Sequence, residues 1–183
     1  MKERLLFLGP PGAGKGTQAQ RLAQSQDLLH LSTGDLLRAE VQSGTPLGQE
    51  AEAVMARGEL VSDGLVIAIV RSRLEHHQGG WLLDGFPRNL AQAETLDTLL
   101  TELNQAIERV VLMELDDGIL IQRLLARGRA DDNEGVIRHR LEVYRTQTAP
   151  LIEHYKDRGL LIAVDAAGSV EQIGANILDC LAK

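Results

Sequence analysis

The sequence is poor in cysteine, in aromatic residues and in long apolar runs. Among its 183 residues Cys180 is the one cysteine. This excludes an intramolecular disulfide framework and a cysteine-based zinc site, so we expect no zinc. The chain has one tryptophan, two tyrosines and two phenylalanines, which gives little support to binding of single-stranded nucleic acid by base stacking. No apolar run approaches the roughly 20 residues of a membrane-spanning helix, so we expect no membrane association.

The chain is acidic, with a formal net charge of −7. This charge argues against nucleic acids and anionic membranes as partners. The first residues lead directly into a strand-like run without the layout of a signal peptide. Because a single cysteine also suits a reducing compartment, we expect a cytoplasmic protein.

Lysine is scarce, and the arginines are unevenly spread. Of the 19 basic residues, 4 are lysines and 15 are arginines. Six of the arginines share one short stretch: Arg123, Arg127, Arg129, Arg138, Arg140 and Arg145. A local arginine cluster in an acidic chain predicts one concentrated anion site.

Short apolar runs alternate with amphipathic stretches along the chain, which predicts a single α/β domain over residues 1–183. The predicted strands are residues 4–8, 28–31, 81–83, 109–114 and 160–164. They are apolar throughout, as strands of a parallel sheet covered on both faces usually are. The predicted helices are residues 15–25, 34–43, 47–57, 63–77, 117–126 and 132–157, with Pro150 interrupting the last of these, and a final helix opening with a capping box at residues 169–172.

The first predicted strand ends in a glycine-rich loop, G-P-P-G-A-G-K-G-T at residues 9–17. Gly9, Gly14 and Lys15 match the P-loop pattern, in which backbone N–H groups and a lysine bind phosphates. The general pattern has Ser or Thr directly after the lysine, whereas here Gly16 intervenes and Thr17 supplies the hydroxyl. A glycine-rich turn with a chance lysine is the alternative, and the strand before it and the helix after it argue against that alternative.

A second predicted strand ends in a carboxylate, Asp84, followed by a turn that carries Arg88. In P-loop enzymes a carboxylate at this place holds magnesium directly or through water. The alternative is that Asp84 only caps the following turn. A phosphate-binding loop on the expected neighbouring strand favours the magnesium role, with the Thr17 hydroxyl as the second oxygen group.

Five segments in order resemble the adenylate kinase family: residues 9–18, 32–38, 58–63, 84–88 and 129–133. The K-G-T run after the loop is that family's own variant of the motif. The resemblance covers the whole chain and implies a P-loop three-layer fold, with a five-stranded parallel sheet flanked by helices. It also implies a mobile AMP-binding helical segment over residues 32–61 and a short lid over residues 126–134.

The activity that this resemblance implies is reversible transfer of the terminal phosphoryl group from ATP to AMP, giving two ADP, with Mg²⁺, by a monomer. The implied ATP contacts are Gly12, Ala13, Gly14, Lys15, Gly16, Thr17, Arg123, Arg127 and Gly168. The implied AMP contacts are Thr33, Arg38, Glu59, Leu60, Val61, Gly85, Phe86, Pro87, Arg88, Gln92, Arg129 and Arg140. The implied catalytic groups are Lys15, Asp84, Arg88, Arg123, Arg129 and Arg140.

The residue types suit this chemistry. Two phosphate dianions about 4 Å apart repel by about 4 kcal/mol even in bulk water, and the planar, permanently charged arginine side chain counters that repulsion bidentately. Arg123 and Arg127 are four residues apart on one predicted helix and therefore share a face. We assign Arg138 and Arg145 instead to a solvated face, paired with acidic residues among Asp131, Asp132, Glu134 and Glu142.

Two alternatives stay open from the sequence. One is a pyrimidine-monophosphate kinase of the same fold, because Thr33 and Gln92 match adenine only in donor and acceptor type. The other is a P-loop switch or sensor that binds a nucleotide without transferring phosphate. No guanine-reading N-K-x-D segment supports that second alternative.

Overall fold

Five parallel strands form the sheet at the centre of the computed structural model, which describes residues 3–56, 61–128 and 133–183. The strands are β1 (Arg4–Leu8), β2 (Leu29–Ser32), β3 (Trp81–Asp84), β4 (Arg109–Glu114) and β5 (Leu161–Asp165). Their order across the sheet is β2-β3-β1-β4-β5, and every neighbouring pair is parallel. The predicted five-stranded parallel sheet is thereby confirmed, with each strand within one residue of its predicted bounds.

The connecting segments are helical, as predicted from the amphipathic stretches. The α-helices are α1 (Lys15–Gln26), α2 (Thr33–Ser43), α3 (Pro46–Ala56), α4 (Asp63–Leu74), α5 (Leu90–Glu102), α6 (Asp117–Arg127), α7 (Glu134–Val143), α8 (Pro150–Asp157) and α9 (Val170–Leu181). Within the described ranges, none of these helices has the length and apolar character needed to cross a membrane. Ser169 and Gln172 form the predicted capping box at the start of α9.

Successive residues of the sheet face two separate cores, which makes three layers. Leu5 and Phe7 of β1 face a core that includes residues of α1, α6, α7 and α9. Leu6 and Leu8 face the opposite core, which includes residues of α4, α5 and α8. This period of two, with both faces covered, explains why the strands are apolar throughout.

The register of the sheet brings three strand ends together. Phe7 of β1 and Ser32 of β2 both pair with Asp84 at the end of β3. The chain moves from β1 to one side of the sheet for β2 and β3 and to the other side for β4 and β5. The crevice at β1 is therefore the point of strand-order reversal, where open α/β sheets usually bind their ligands.

One helix was not predicted and one differs in extent. The sequence analysis assigned no helix between β3 and β4, yet α5 occupies Leu90–Glu102, with the Asn89 side chain accepting a hydrogen bond from the Gln92 N–H at its start. An asparagine cap followed by apolar residues at helical spacing was the signal for it. Helix α4 ends at Leu74, three residues before its predicted end at residue 77.

The predicted interruption at Pro150 of the helix over residues 132–157 is confirmed. Helix α7 passes into a π-helical turn, Tyr144–Thr148, and α8 begins at Pro150. The Ala149 N–H reaches back five residues to the Tyr144 carbonyl at 2.8 Å. Proline has no N–H to continue the α-helical pattern and fits the first turn of a helix, so a new helix begins there.

Candidate functional site

The glycine-rich loop wraps the start of α1 at the carboxyl end of β1. Gly12 has a φ of 86°, and a Cβ there would lie 2.9 Å from a side-chain carbon of Leu124. Gly14, at the N-cap of α1, has a φ of 91° and provides no side-chain cap. The first N–H groups of α1 therefore have no capping side chain at Gly14, and the positive end of the helix dipole faces the loop.

Lys15, the first residue of α1, lies where several charged groups converge. Burial lowers the pKa of its ammonium below the ordinary 10.5, the Asp84 carboxylate acts in the opposite direction, and the Arg88 and Arg140 guanidiniums lower the pKa further. These four groups come from α1, from the end of β3, from the turn after β3 and from α7. The fold thus brings one carboxylate and three cations to one place.

A cavity of about 260 Å³ lies at this place. Lys15, Arg88 and Arg140 line it together with Gly85 and Pro87. The structure therefore gathers five of the residues predicted for the site around one space. An enclosure with three cations on its wall is suited to hold phosphate groups.

The turn that carries Arg88 is held by three hydrogen bonds. The Arg88 N–H donates to Gln92 Oε1 at 2.6 Å, and the Arg88 Nε–H donates to the Gly85 carbonyl at 3.0 Å. The Arg88 carbonyl accepts from the Thr148 hydroxyl at 2.8 Å. Both sides of the Arg88 backbone are thus held by side chains from other elements.

Thr33, Gly85 and Gln92, three of the predicted acceptor-side residues, lie around the start of α2 and the end of β3. A Cβ on Gly85 would lie 2.7 Å from the Thr33 hydroxyl oxygen, and the φ of Gly85 is 94°. The Gln92 amide nitrogen donates to Asp63 Oδ1 at 2.8 Å. Phe86 and Pro87 are buried beside them, and Val61 is half-buried in the segment before α4.

Arg38 pairs with Asp35, one helical turn before it on α2. Their hydrogen bond is the largest cause of a lowered pKa of the Asp35 carboxyl. Both side chains are 69% exposed. A pair this exposed contributes little to stability, so an anion that approached Arg38 would compete only with a weak partner.

Arg123 lies beside the turn between β5 and α9. Its guanidinium donates to the Ala166 carbonyl at 3.0 Å. Gly168 follows in the same turn with a φ of 120°. The structure therefore brings Arg123 to the turn that contains Gly168, a predicted ATP contact distant from it in sequence. Arg127 is the last residue of α6.

Asp84 and the first turn of α1 fit a hydrated magnesium ion. Asp84 is only 9% exposed, and none of the residues that the structure describes gives it a hydrogen bond or an ion pair. A Cβ on Gly16 would lie 3.9 Å from Asp84 Oδ2, so the carboxylate lies next to the first turn of α1. The buried Asp84 carboxylate and the exposed Thr17 on the adjoining turn provide oxygen groups of the kind that Mg²⁺ accepts.

Some predicted residues lie elsewhere or outside the description. Glu59, Leu60 and Arg129 are outside the described residues. Arg138 pairs with Glu134 at 2.9 Å on the surface of α7, as we expected for a solvated arginine. Arg145 is also in a surface ion pair, but its partner is Asp117 of α6 and not one of the four acidic residues that we named.

Two residues with polar side chains at the cavity were not predicted as site residues from the sequence. Tyr144 and Thr148 line it from the π-helical turn. Burial, with a smaller contribution from Glu114, raises the pKa of the Tyr144 hydroxyl to about 12. The sequence analysis placed Tyr144 on the apolar face of a long helix. The interruption at Pro150 was the one signal that residues before it could leave the helical pattern.

Comparison with known proteins gives a consistent result. The family model described as "Adenylate kinase" matches residues 7–160. A protein named adenylate kinase from Synechococcus sp. (strain RCC307) is 71% identical over 182 residues, covering all of both chains. A second, from Synechococcus sp. (strain WH7803), is 71% identical over 183 residues with the same coverage. A third, from Prochlorococcus marinus (strain MIT 9303), is 68% identical over 177 residues, covering 97% of each chain.

Proposed function

Because the chain belongs to the adenylate kinase family, we propose that it transfers the terminal phosphoryl group of Mg-ATP reversibly to AMP, giving two ADP. The observation that carries this proposal is the cavity in which Lys15, Arg88 and Arg140 meet beside Asp84. The activity serves the balance among the three adenine nucleotides. Membership of this family favours neither of the two alternatives, a pyrimidine-monophosphate kinase or a nucleotide sensor without turnover.

The ATP phosphates bind the loop and the start of α1. The backbone N–H groups of the loop surround these phosphates, at Gly12, Ala13, Gly14, Gly16 and Thr17. The Lys15 ammonium binds the phosphoryl group while it is transferred. Arg123 provides a catalytic cation for the phosphates and Gly168 a backbone contact on the ATP side, and the hydrogen bond between Arg123 and the β5–α9 turn supports placing both on that side. Arg127 contributes a further cation from the end of α6.

AMP binds on the opposite side, between β3 and the α2–α3 segment. Thr33 and Gln92 contact the base, and Gly85, Phe86 and Pro87 provide a close wall. The AMP phosphate binds Arg88 and Arg140. Arg38 also binds this phosphate and leaves its ion pair with Asp35 to do so. The contacts proposed for Glu59, Leu60, Val61 and Arg129 complete this side by family resemblance.

The chemistry needs charge and position, and it needs no general base. The AMP phosphate is largely dianionic near neutral pH and is already a nucleophile, so the barrier is the repulsion between two phosphates. Lys15, Arg88 and Arg140 offset that repulsion from different sides of one cavity. Their positions are set by separate helices and strands, so little reorganisation is required when charge shifts during transfer.

Asp84 and Thr17 are the groups proposed to hold Mg²⁺, with water between. Magnesium bound to ATP neutralises phosphate charge and helps to orient the donor. Asp84, at the end of β3, would accept hydrogen bonds from water bound to the ion, and the Thr17 hydroxyl would act from the first turn of α1.

We propose that residues 32–61 and 126–134 are mobile segments that close over AMP and ATP and exclude water, since water would otherwise accept the phosphoryl group. The chain is proposed to act as a monomer in the cytoplasm. Support for a monomer is that one chain provides both the donor and the acceptor cations. Support for the compartment is a single cysteine in an acidic chain.

The decisive experiment supplies ADP alone with Mg²⁺ to the purified chain and measures ATP and AMP. We expect both products in equal amounts, and their absence would overturn the proposed function. A second series offers AMP, UMP, CMP and GMP as acceptors with ATP. Strong preference for any acceptor other than AMP would instead identify a related kinase.

Replacing Arg88 tests the role of the cation cluster. We expect Arg88→Ala to reduce turnover by roughly a hundredfold or more, the scale of losing one group that stabilises transition-state charge. The matched control is Arg138→Ala, because Arg138 pairs with Glu134 on the surface of α7. A steady-state assay of both variants should leave the control near the unmodified rate, and equal rates in both would contradict the role of Arg88.

A further inference from the structure

The π-helical turn Tyr144–Thr148 points a hydroxyl at the turn that carries Arg88. Thr148 is half-buried and lines the same cavity as Lys15, Arg88 and Arg140. Its hydroxyl donates to the Arg88 carbonyl at 2.8 Å across 60 positions of sequence. Single π-helical turns within helices frequently occur at functional sites.

The hydroxyl of Thr148, unlike that of Thr146, bonds outside its own helix. A helical threonine usually donates to the carbonyl four residues earlier, and Thr146 does so, to Glu142 at 3.0 Å. For Thr148 the carbonyl four residues earlier belongs to Tyr144, and it accepts the Ala149 N–H of the π-helical turn at 2.8 Å. The Thr148 hydroxyl is bonded instead to the backbone of Arg88.

The contact links two cations of the site. Arg140 lies on α7, which continues directly into the π-helical turn. Thr148, at the end of that turn, contacts the backbone of Arg88. On its other side, the Arg88 N–H is held by Gln92 at 2.6 Å. The Arg88 backbone is therefore clamped between α5 and the segment that carries Arg140.

We propose that Thr148 is a positioning residue for Arg88 in the proposed phosphoryl transfer, on which this inference rests. Its hydroxyl holds the Arg88 carbonyl so that the guanidinium faces the acceptor phosphate, and it ties that orientation to the position of Arg140. Thr148 itself touches neither the transferred group nor the base. Its loss affects the acceptor side of the reaction.

The test compares Thr148→Val with Thr146→Val. Both changes remove a threonine hydroxyl from the same turn with little change in shape, but only Thr148 bonds to Arg88. We expect Thr148→Val to lower kcat/KM for AMP by roughly three- to tenfold, the scale of one lost hydrogen bond. The KM for ATP and the midpoint of thermal unfolding should stay near those of Thr146→Val. Thr148→Ser should restore kcat/KM for AMP.

A double substitution separates positioning from general stability. In an Arg88→Ala background, Thr148→Val should cause no further loss in AMP affinity, measured by titration calorimetry, because the group that it positions is gone. A multiplicative loss in that background, or no difference between the two threonine variants, would overturn the inference. If Thr148→Val does not fold, Thr148→Ala replaces it, and failure of both to fold overturns it as well.

These results are distinct from a failure of the proposed function. Inactivity of the unmodified chain with ADP and Mg²⁺ would overturn the proposed function itself. Activity of the unmodified chain together with an unaffected Thr148→Val variant would overturn only the role of Thr148.

Discussion

Gly85 and Thr33, on the AMP side of the proposed site, lie too close together for a Cβ atom at position 85. Gly85 has a left-handed φ of 94°, and its position leaves only 2.7 Å between a would-be Cβ and the Thr33 hydroxyl oxygen. Thr33 begins α2, and Gly85 follows β3. The close approach therefore sets the distance between the two strand ends where AMP is proposed to bind.

Replacing Gly85 with alanine should weaken AMP binding and also cost some stability of the fold. The added methyl group must displace Thr33, so we expect KM for AMP to rise roughly tenfold or more, while the left-handed backbone costs about 1–2 kcal/mol of stability. Steady-state kinetics with varied AMP and a thermal unfolding curve measure the two effects.

Gly159→Ala is the matched control for that change. Gly159 has a φ of 69°, and a Cβ there would meet nothing within 4 Å. Its substitution should cost similar backbone strain without changing KM for AMP. A Gly85→Ala variant with an unchanged KM would show that Thr33 and Gly85 do not shape the acceptor site.

Among the helices, the α2–α3 corner has a comparably close contact. A Cβ on Gly48 of α3 would lie 1.9 Å from the Glu40 carbonyl oxygen of α2. Glu40 is 6% exposed and accepts hydrogen bonds from Thr45 and, at 3.0 Å, from Arg73 of α4. The two helices and α4 are thus joined around one buried carboxylate, which keeps the segment together as a unit.

Gly48→Ala should separate α2 from α3. We expect a loss of roughly 2–3 kcal/mol in the free energy of unfolding, the upper range for forcing an added methyl into a packed contact. Gly64→Ala on α4 is the control, because its nearest neighbour would be 4.0 Å away. That change should stabilise by up to about 1 kcal/mol, since alanine favours a helix over glycine.

Denaturant or thermal unfolding of both variants checks this expectation. Equal effects of Gly48→Ala and Gly64→Ala would contradict the close packing of α2 on α3. A loss in Gly48→Ala together with a raised KM for AMP would further support this helical pair as the acceptor-binding segment.

Across the whole molecule, the charged site exists only because distant parts of the chain meet. Asp84, Arg88 and Arg140 all affect the pKa of Lys15, and the four residues come from three separate places in the sequence. The lowered pKa of Lys15 arises mainly from burial, against which Asp84 acts.

The alkaline limb of the pH profile should reflect this lowered pKa. Lys15 releases its proton at a pH below the ordinary 10.5, so kcat/KM for ATP should fall as the pH rises through that lower value. Tyr144, with a pKa of about 12, titrates above it. Lys15→Arg should lower activity and move the limb to higher pH, because arginine keeps its charge.

Lys156→Arg provides the control for that profile. Lys156 lies on the surface beside Glu153 at 3.9 Å, so its substitution should leave the limb in place. An alkaline limb that lies at or above 10.5 in the unmodified chain, or that does not move in Lys15→Arg, would contradict the assignment.

Much of the fold was predictable because its signals are local. Alternation with period two and helical spacing act over a few neighbouring residues, and they located every strand within one residue. Asp84 and the glycine-rich loop were recognisable as strand-end groups for the same reason. Helix α5 was predictable in the same way, since Asn89 and the helical spacing of apolar residues after it mark its start.

The contacts of the site were less predictable. Arg145 pairs with Asp117 of α6 and not with a neighbour in sequence, and Thr148 reaches Arg88 across 60 positions. Such partners depend on how α6, α7 and the π-helical turn pack on the sheet. No spacing rule within one helix contains that information.

Local sequence was enough to decide which groups stand at strand ends and helix starts, because hydrogen bonding and side-chain direction repeat every two residues in strands and every 3.6 in helices. Which of those groups face one another depended on the strand order β2-β3-β1-β4-β5 and on the two cores beside it. Arg140 and Lys15 line one cavity because α7 and α1 cover the same face of the sheet, and burying apolar surface in their shared core favours that arrangement.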